Sequence, residues 1–577
     1  MFAILKKLKE ARLKEKSLIS PEPEAPLKIV LCFPNRYSVA MANLGFQWVY
    51  KLFNEIPEVY CDRAFYPDPE EELIYFQKNL PIYSLESRKP LNQFDIVAFS
   101  LSFEMDYVRA LKMLNFSRIP LRAEIRKKGL DKKHSYPLVM AGGIAISANP
   151  EPMADFFDIM VIGEAEPVIE PMIERIMERK DKSLDNLNLI FEDLEGIYIP
   201  SAYQYQYDEQ GRIKARSAIS PAPEQVLRVQ AHTHQLPAYQ VIFTPEMEFP
   251  ELGLIELARG CKRACRFCLA GYFTRPFRSA SYPKVIQAIE KLLSYRSQLG
   301  LISAVISDWE GFPALLDYLE RERIPFSVSS LRIEAVNQKL LELLKKSNNK
   351  TITFAPETGS KALQRYINKE VNFSKIAQVM KMVGAYQFEK VKLYYLLGLP
   401  GEDELAVEEI PISARRIQTA LQMGAGKKRY PGIVEITLSP FVPKPWTAFQ
   451  WLKMADEKEL MEKIKRIKVQ LKPGQGFEIK SDSIREAIFQ GVIARGDRNL
   501  SNWLEKLALN QISLSQLLKN QALITQYLRE RDPEEIFPWD IVDPRVKREY
   551  LWKEFNKAKQ GKITPPCREN CKECGAC

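Results

Sequence analysis

The strongest constraint on the fold is a regular alternation of strand-like and helix-like segments through the middle of the chain. Between residues 247 and 454, six apolar strand-like segments alternate with five amphipathic helical ones. This order predicts a parallel sheet, and six such repeats favour a partial (β/α)6 barrel. The predicted strands are "GLIELARG", "ISAVISDWEG", "PFSVSSLRIE", "KTITFAPETGS", "KVKLYYLLGLPGEDE" and "GIVEITLSPF".

A second alternation of the same kind occupies residues 26–180. It predicts a small doubly wound α/β domain, whose ligand crevice lies beyond the carboxyl ends of its strands. Serine and glycine residues fall at such ends, and glycine lets a bulky ligand approach the backbone, although tight turns use it equally. The candidate ligand-binding residues are Ser100, Gly142, Gly143 and Gly163.

The length of 577 residues exceeds what one hydrophobic core accommodates, so several domains are expected. Between the two α/β domains, an aromatic-polar alternation around "DEQG" predicts a β-hairpin, and residues beyond 455 have a helical pattern. The expected organisation is a basic helix at 1–25, the doubly wound domain at 26–180, a linker with a hairpin at 181–246, the barrel at 247–454 and a helical region with a cysteine-rich tail at 455–577.

Composition describes an ordinary globular protein, with 46% hydrophobic and 27% charged residues. No apolar run reaches the roughly 20 residues that span a bilayer, and the lysine-rich start is unlike a secretory signal. We therefore expect a cytoplasmic protein whose nine cysteines are reduced. Seven of them fall in two tight groups that suggest metal ligation, while Cys32 and Cys61 are expected to be ordinary buried thiols. The net charge of +10 permits an acidic partner such as RNA without requiring one.

Three cysteines follow the first barrel strand in the segment "CKRACRFC", at Cys261, Cys265 and Cys268. Thiolates are the usual ligands of iron–sulfur clusters, and three of them leave one iron of a [4Fe–4S] cluster open to a small molecule. The spacing suits zinc poorly, because zinc sites commonly use two separated ligand pairs. Basic residues nearby are expected to offset the negative charge of such a cluster: Arg259, Lys262, Arg263 and Arg266.

The segment "CKRACRFC" resembles the C-x3-C-x-aromatic-C signature of the radical SAM superfamily, with Phe267 in the aromatic position. The resemblance extends to a subgroup with a cobalamin-binding-type domain before the barrel, through "FPNRYSVAMANLGFQWVY", "ANPEPMADFFDIMVIGEAE", "TFAPETGSKALQRYINK", "SPFVPKPWTAFQW" and the cysteine-rich end. It implies that S-adenosylmethionine binds the open iron and is reductively cleaved to a 5′-deoxyadenosyl radical. It also implies an electron donor such as ferredoxin or flavodoxin, and that strand-end residues bind S-adenosylmethionine: Ser307, Arg332, Glu357 and Gly398.

The chain departs from the usual cobalamin module, which offers a histidine below the cobalt within D-x-H-x-x-G. Its three histidines, His134, His232 and His234, lie in no such motif. Two alternatives remain open: cobalamin bound without a histidine ligand, with methyl transfer to an unactivated carbon, or a docking domain that holds no corrinoid.

A second cysteine group ends the sequence, spaced C-x3-C-x2-C-x2-C at Cys567, Cys571, Cys574 and Cys577. Compact runs of this kind ligate clusters in bacterial ferredoxins. A second iron–sulfur cluster, a zinc site and a flexible redox or metal-delivery tail are the alternatives.

The main functional hypothesis is therefore a radical SAM enzyme, possessing a methyltransferase-type activity if cobalamin binds. The alternatives are an RNA-modifying, methylthiotransferase-like enzyme and a non-catalytic corrinoid or cluster sensor. The pattern identifies no catalytic residue beyond the cluster ligands, and the substrate class (small molecule, protein or RNA) stays open.

Overall fold

A computed structural model describes residues 1–128, 136–178, 187–427, 430, 432–472, 474–568 and 571–577. His134 lies outside these residues. The chain forms two compact units, each assembled from separate stretches of sequence. Unit 1 comprises Met1–Glu251, Val492–Tyr527 and Glu534–Arg545, and unit 2 comprises Leu252–Gly491, Leu528–Pro533 and Val546–Cys577.

The strands are β1 (Lys16–Ser17), β2 (Leu27–Phe33), β3 (Val59–Phe65), β4 (Ile96–Ser100), β5 (Leu138–Gly142), β6 (Ile159–Val161), β7 (Ile197–Tyr198), β8 (Tyr203–Tyr207), β9 (Ile213–Ala218), β10 (Val226–Leu227), β11 (Ile242–Phe243), β12 (Leu252–Glu256), β13 (Ala258–Arg259), β14 (Arg278–Ser279), β15 (Gln298–Ile302), β16 (Phe326–Val328), β17 (Thr351–Glu357), β18 (Lys390–Leu397), β19 (Ile433–Pro440), β20 (Phe477–Ser481) and β21 (Val542–Asp543).

The helices are α1 (Phe2–Leu13), α2 (Tyr37–Met41), α3 (Leu44–Asn54), α4 (Pro69–Gln77), α5 (Tyr107–Phe116), α6 (Ala123–Lys128), α7 (Ile144–Ala148), α8 (Ile169–Glu178), α9 (Leu187–Ile190), α10 (Tyr282–Leu293), α11 (Phe312–Arg321), α12 (Gln338–Lys346), α13 (Lys361–Tyr366), α14 (Phe373–Ala385), α15 (Glu404–Ala425), α16 (Glu457–Gln470), α17 (Ile484–Arg495), α18 (Ser501–Ala508), α19 (Leu514–Leu517), α20 (Gln521–Leu528) and α21 (Arg548–Lys559). In the described ranges, none of them has both the length and the apolar character needed to cross a bilayer.

Unit 1 is built on a six-stranded sheet in the order β3-β2-β4-β5-β6-β7. All neighbouring pairs are parallel except β6 with β7. The interior strand β2 is an almost continuous apolar run, as expected for a strand covered on both faces. The doubly wound α/β domain is therefore present, and the predicted hairpin follows it as the antiparallel pair β8–β9.

The region beyond residue 455 is mostly helical, as the sequence predicts, and part of it completes unit 1. Arg498 contacts the buried carboxylate of Glu151 at 3.1 Å and the hydroxyl of Tyr198 at 2.8 Å. The amide of Asn149 donates to the Gly496 carbonyl at 2.8 Å. A buried carboxylate needs a charge partner, and here that partner comes from a distant stretch of sequence that no local pattern reveals.

Unit 2 contains two parallel sheets, β12-β15-β16 and β17-β18-β19-β20. A hydrogen bond from the Leu331 N–H to the Thr353 carbonyl, at 3.1 Å, links the residues after β16 to β17. Seven strands alternate with helices, one strand more than the sequence predicts. The added strand β20 has the sequence FEIKS, whose charged residues and short length are typical of a sheet edge rather than a core strand.

The second barrel strand also differs from its prediction. A strand beginning at Ile302 and ending in a polar turn at Ser307 and Asp308 was expected, whereas β15 covers Gln298–Ile302. Gly300 lies in the middle of β15, and glycine weakens the strand signal of a sequence. The predicted turn is present as a 3-10 turn at Ile306–Asp308, beyond the carboxyl end of the strand.

Helices α14 and α15 approach each other closely enough to exclude side chains. A Cβ atom on Gly384 would lie 2.0 Å from the Leu421 carbonyl oxygen, and one on Gly424 would lie 1.9 Å from that of Lys381. The two glycines therefore let the helix backbones touch, as small residues do at close helix crossings.

We expect Gly384→Ala and Gly424→Ala each to destabilise the protein by at least about 2 kcal/mol, the scale of an overpacked core. In an open helix the same change stabilises by roughly 0.5–1 kcal/mol, so the sign of the effect is diagnostic. Urea unfolding measures it. Gly45→Ala in α3, where the new Cβ has only an ordinary 3.4 Å contact, is the control. Equal effects at all three positions would contradict the packing argument.

Candidate active site

The cysteine loop, residues 260–277, joins β13 to β14. These two short strands pair antiparallel at its base, with Ala258 opposite Ser279 and Arg259 opposite Arg278. Gly260 begins the loop at a φ of +77°, and a Cβ there would lie 2.6 Å from the carbonyl oxygens of Thr274 and Pro276. Glycine is therefore required where the loop closes on itself.

The three loop cysteines line one cavity of about 180 Å³, together with Phe267. The structure therefore brings Cys261, Cys265, Cys268 and Phe267 to one place, as the sequence predicts. Burial raises the pKa of the Cys261 and Cys265 thiols and raises that of Cys268 to about 12. Thiols in such surroundings lose their protons when a metal binds, because the ligand form is the thiolate.

Polar side chains from neighbouring strand ends form the rest of the cavity wall. Glu357 ends β17 and accepts a hydrogen bond from Lys369 at 2.6 Å. Arg332 follows β16 and contacts Glu334 at 3.3 Å. Lys369 and Arg332 both favour the thiolate of Cys265 electrostatically, against its burial. Ser307, from the loop after β15, completes this predicted group.

Glu357 has an unusual backbone conformation for its residue type. Its φ is +64°, in the left-handed region that favours glycine, and the pairing of β17 with β18 shifts register between Phe354 and Glu357. A non-glycine residue held in this way carries strain of order 1–3 kcal/mol, and such residues cluster at functional sites. The strained turn directs the Glu357 carboxylate to the cavity and its partner Lys369.

The four basic residues predicted to offset the cluster charge make different contacts, and their shared electrostatic role stays a prediction. Arg263 lines the cavity and pairs with Asp308 through contacts of 2.7 and 3.1 Å. Arg259 pairs with Glu256, and Lys262 lies over the ring of Phe277. Arg266 is fully buried and bonds carbonyl groups behind the loop, including that of Lys562.

Gly398 lies away from the cysteine cavity. It lines a second cavity with Tyr366, Glu402 and Lys559. Its N–H donates to the Glu402 carboxylate at 2.7 Å, and a Cβ there would lie 2.8 Å from the Cβ of Ala455. Gly398 therefore serves a tight turn in the structure, and a direct role beside the cysteines stays a prediction.

The glycines of unit 1 are covered by the chain itself. A Cβ on Gly143 would lie 2.4 Å from the Leu101 carbonyl oxygen, and one on Gly163 would lie 2.1 Å from that of Val229. Ser100 is paired with Gly142 across β4 and β5. At Gly143 and Gly163 the close approach is made by the protein backbone, and a corrinoid-binding role for Ser100, Gly142, Gly143 and Gly163 stays a prediction.

The remaining histidines provide no ligand at this edge of the unit 1 sheet. His232 and His234 flank a 3-10 turn, are exposed, and stack on each other with ring centroids 5.5 Å apart.

The C-terminal cysteines belong to unit 2, and the segment that carries them is hydrogen-bonded to the cysteine loop. The Cys567 N–H donates to the Lys262 carbonyl at 2.7 Å, and the Cys574 carbonyl accepts from Lys547 at 2.9 Å. Within the described part of the chain, no three or more His, Cys, Asp or Glu side chains are arranged to hold a metal ion.

Two cavity residues escaped the sequence analysis as members of the site, Lys369 and Glu334. Lys369 lies twelve positions after Glu357, beyond helix α13, so no local period links them. The sequence shows only a lysine some residues after a glutamate that ends a strand, and this pattern is too common to predict a contact between them.

Comparison with known proteins agrees with this geometry. Residues 255–410 match the model of the radical SAM superfamily, and residues 45–200 match that of the N-terminal region of radical SAM proteins. The chain belongs to the radical SAM superfamily, and it is a radical SAM enzyme.

A curated relative is an uncharacterized protein of Methanocaldococcus jannaschii, 27% identical over 504 residues that cover 87% of this chain and 95% of that protein. Among solved structures, the cobalamin-dependent S-adenosylmethionine radical enzyme OxsB matches 89% of this chain and 60% of its own, at 13% identity and a TM-score of 0.36. Methylornithine synthase (PylB) matches 42% of this chain and 69% of its own, at 15% identity and a TM-score of 0.27.

We expect Glu357→Gly to preserve or raise stability while weakening S-adenosylmethionine binding by at least about 10-fold, the lower range for loss of a site partner. Glycine relieves the left-handed backbone but removes the carboxylate that holds Lys369. Calorimetry with S-adenosylmethionine and urea unfolding measure the two effects. Arg323→Gly, at an exposed residue with a φ of +55°, is the control and should change stability alone. Unchanged binding in Glu357→Gly would contradict the role of the carboxylate.

Proposed function

We propose that Cys261, Cys265 and Cys268 hold a [4Fe–4S] cluster with one open iron, at which S-adenosylmethionine is reductively cleaved. The observation that supports this most directly is the convergence of three thiols on one wall of a cavity at the carboxyl ends of β12, β15, β16 and β17. Three thiolates are one fewer than the irons of the cluster, which suits a small-molecule ligand at the fourth. The donor set fits the cluster, and the polar lining fits a zwitterionic small molecule.

When bound, the reduced cluster supplies one electron to the sulfonium of S-adenosylmethionine, which leaves methionine and a 5′-deoxyadenosyl radical that abstracts hydrogen from a C–H bond. The chain's own residues position and screen that chemistry. The guanidinium of Arg263 is held by Asp308 beside the cysteines, and the backbone N–H of Arg263 donates to the Cys261 sulfur, with 3.4 Å between nitrogen and sulfur. Donors to a cluster sulfur raise its reduction potential and favour electron entry.

The polar wall suits the amino-acid end of S-adenosylmethionine, which carries one ammonium and one carboxylate. Glu357 offers a carboxylate to the ammonium, while Arg332 and Lys369 offer cations to the carboxylate. Phe267 and Val305 give apolar surface for the adenosine. The electron comes from an external low-potential protein of the ferredoxin or flavodoxin class, and the thiols require a reducing, cytoplasmic setting.

Methyl transfer from methylcobalamin is the finer outcome that the resemblance implies. The doubly wound sheet of unit 1 supports it, whereas the backbone of Leu101 and Val229 occupies the space beside Gly143 and Gly163. We therefore derive no step through a corrinoid. Cobalt content and the visible spectrum of protein made with corrinoid present are the test, and stoichiometric cobalt would restore the methyltransferase assignment.

Cys265→Ala is expected to abolish formation of 5′-deoxyadenosine, a greater loss than the roughly 10- to 100-fold that removing an outer partner costs. The assay uses anoxically reconstituted protein, dithionite and S-adenosylmethionine, with product measured by chromatography. Cys32→Ala, at a buried thiol in β2, is the matched control and should retain activity. A Cys265→Ala protein that still made 5′-deoxyadenosine would overturn the proposal.

A further inference from the structure

The four C-terminal cysteines form a compact group in unit 2. Cys574 is only 1% exposed, Cys567 and Cys571 are half-buried, and Cys577 is exposed. The thiols of Cys567 and Cys577 are hydrogen-bonded, and both interact electrostatically with those of Cys571 and Cys574. Four cysteines in so short a stretch supply the number and type of ligands that an iron–sulfur cluster or a structural zinc ion requires.

The segment that carries these cysteines is anchored to the cysteine loop by backbone hydrogen bonds. The Cys567 N–H donates to the carbonyl of Lys262, the residue directly after Cys261. The side-chain amide of Asn368 donates to the carbonyls of Ala264 at 2.9 Å and Thr564 at 3.0 Å. It also accepts from the Thr564 N–H at 2.8 Å. The backbone between Cys261 and Cys265 is therefore bonded to the C-terminal segment directly at Lys262 and through Asn368 at Ala264.

Arg275 connects the two cysteine groups through one buried guanidinium, 3% exposed. On the loop side it donates to the carbonyls of Gly271 at 2.6 Å and Arg263 at 3.3 Å. On the other side it is hydrogen-bonded to the Cys574 thiol and to the hydroxyl of Tyr550. A cation in this position complements the negative charge that metal-bound thiolates carry.

We propose that Cys567, Cys571, Cys574 and Cys577 hold a second iron–sulfur cluster behind the cysteine loop, and that Arg275 couples its occupancy to the geometry of the first. The site itself does not depend on the proposed S-adenosylmethionine chemistry, whereas the coupling does. The spacing of two or three residues between ligands matches compact ferredoxin runs more closely than separated zinc pairs. Filling the second site fixes the C-terminal segment, and that segment fixes the carbonyls of Lys262 and Ala264.

Metal analysis of the full chain tests the site. Anoxically reconstituted wild type should hold about eight irons, and the triple variant Cys261→Ala, Cys265→Ala, Cys268→Ala should hold about four. The pair Cys571→Ala, Cys577→Ala should also fall to about four irons while it keeps the loop ligands. Zinc in place of the second set of irons, or no iron in the triple variant, would overturn the second cluster. Absence of 5′-deoxyadenosine in the wild type would instead count against the proposed function alone.

Arg275→Lys tests the coupling, because lysine keeps the charge but cannot bond the loop and Cys574 at once. We expect full iron content, an altered electron paramagnetic resonance spectrum of the loop cluster, and S-adenosylmethionine affinity weakened about 10-fold. Arg323→Lys, at an exposed position, is the control. An unchanged spectrum and affinity in Arg275→Lys, at full iron content, would overturn the coupling.

Discussion

Two buried guanidinium groups hold the cysteine loop, and the geometry of the active site depends on them. The loop has little regular structure of its own, so its carbonyls need partners. Arg275 donates hydrogen bonds to the carbonyls of Gly271 and Arg263. Arg266 donates to the carbonyls of Tyr366 at 3.0 Å and Lys562 at 2.6 Å. Arginine suits this task because its planar fork offers five donors in one rigid group. Lysine cannot span the same set of carbonyls.

The sequence predicts those elements of the fold that a local repeat of apolar residues defines. The α/β class, the doubly wound domain, the hairpin and the parallel strands of the barrel follow from apolar residues at strand and helix spacing. The strand β20 was missed because FEIKS is short and charged, and β15 was misplaced around Gly300. The division of the C-terminal region between two units has no local signal at all, since it rests on contacts such as Arg498 with Glu151.

The same distinction holds for the site. The three cysteines and Phe267 can be predicted because they belong to one short motif. Ser307, Arg332 and Glu357 can be predicted because they follow or end strands of the barrel. The strained backbone of Glu357 and its bond to Lys369 depend on a tertiary register shift that sequence cannot reveal. The glycines of unit 1 show a second limit of sequence reasoning. Glycine at a strand end marks a close approach, but the sequence does not reveal that the approaching group at Gly143 and Gly163 is the chain's own backbone.

Since residues 492–527 and 534–545 complete unit 1, neither unit is one continuous stretch of polypeptide. During synthesis, the barrel is made between Glu151 and Arg498, which takes roughly 15–70 s at typical elongation rates. The carboxylate of Glu151 lacks the Arg498 guanidinium during that interval. A fragment that stops at Glu251 lacks this cation and leaves a buried negative charge uncompensated. Exchange of such a unit between proteins therefore needs a crossover at each of the five junctions between the units, so the two units are expected to evolve together.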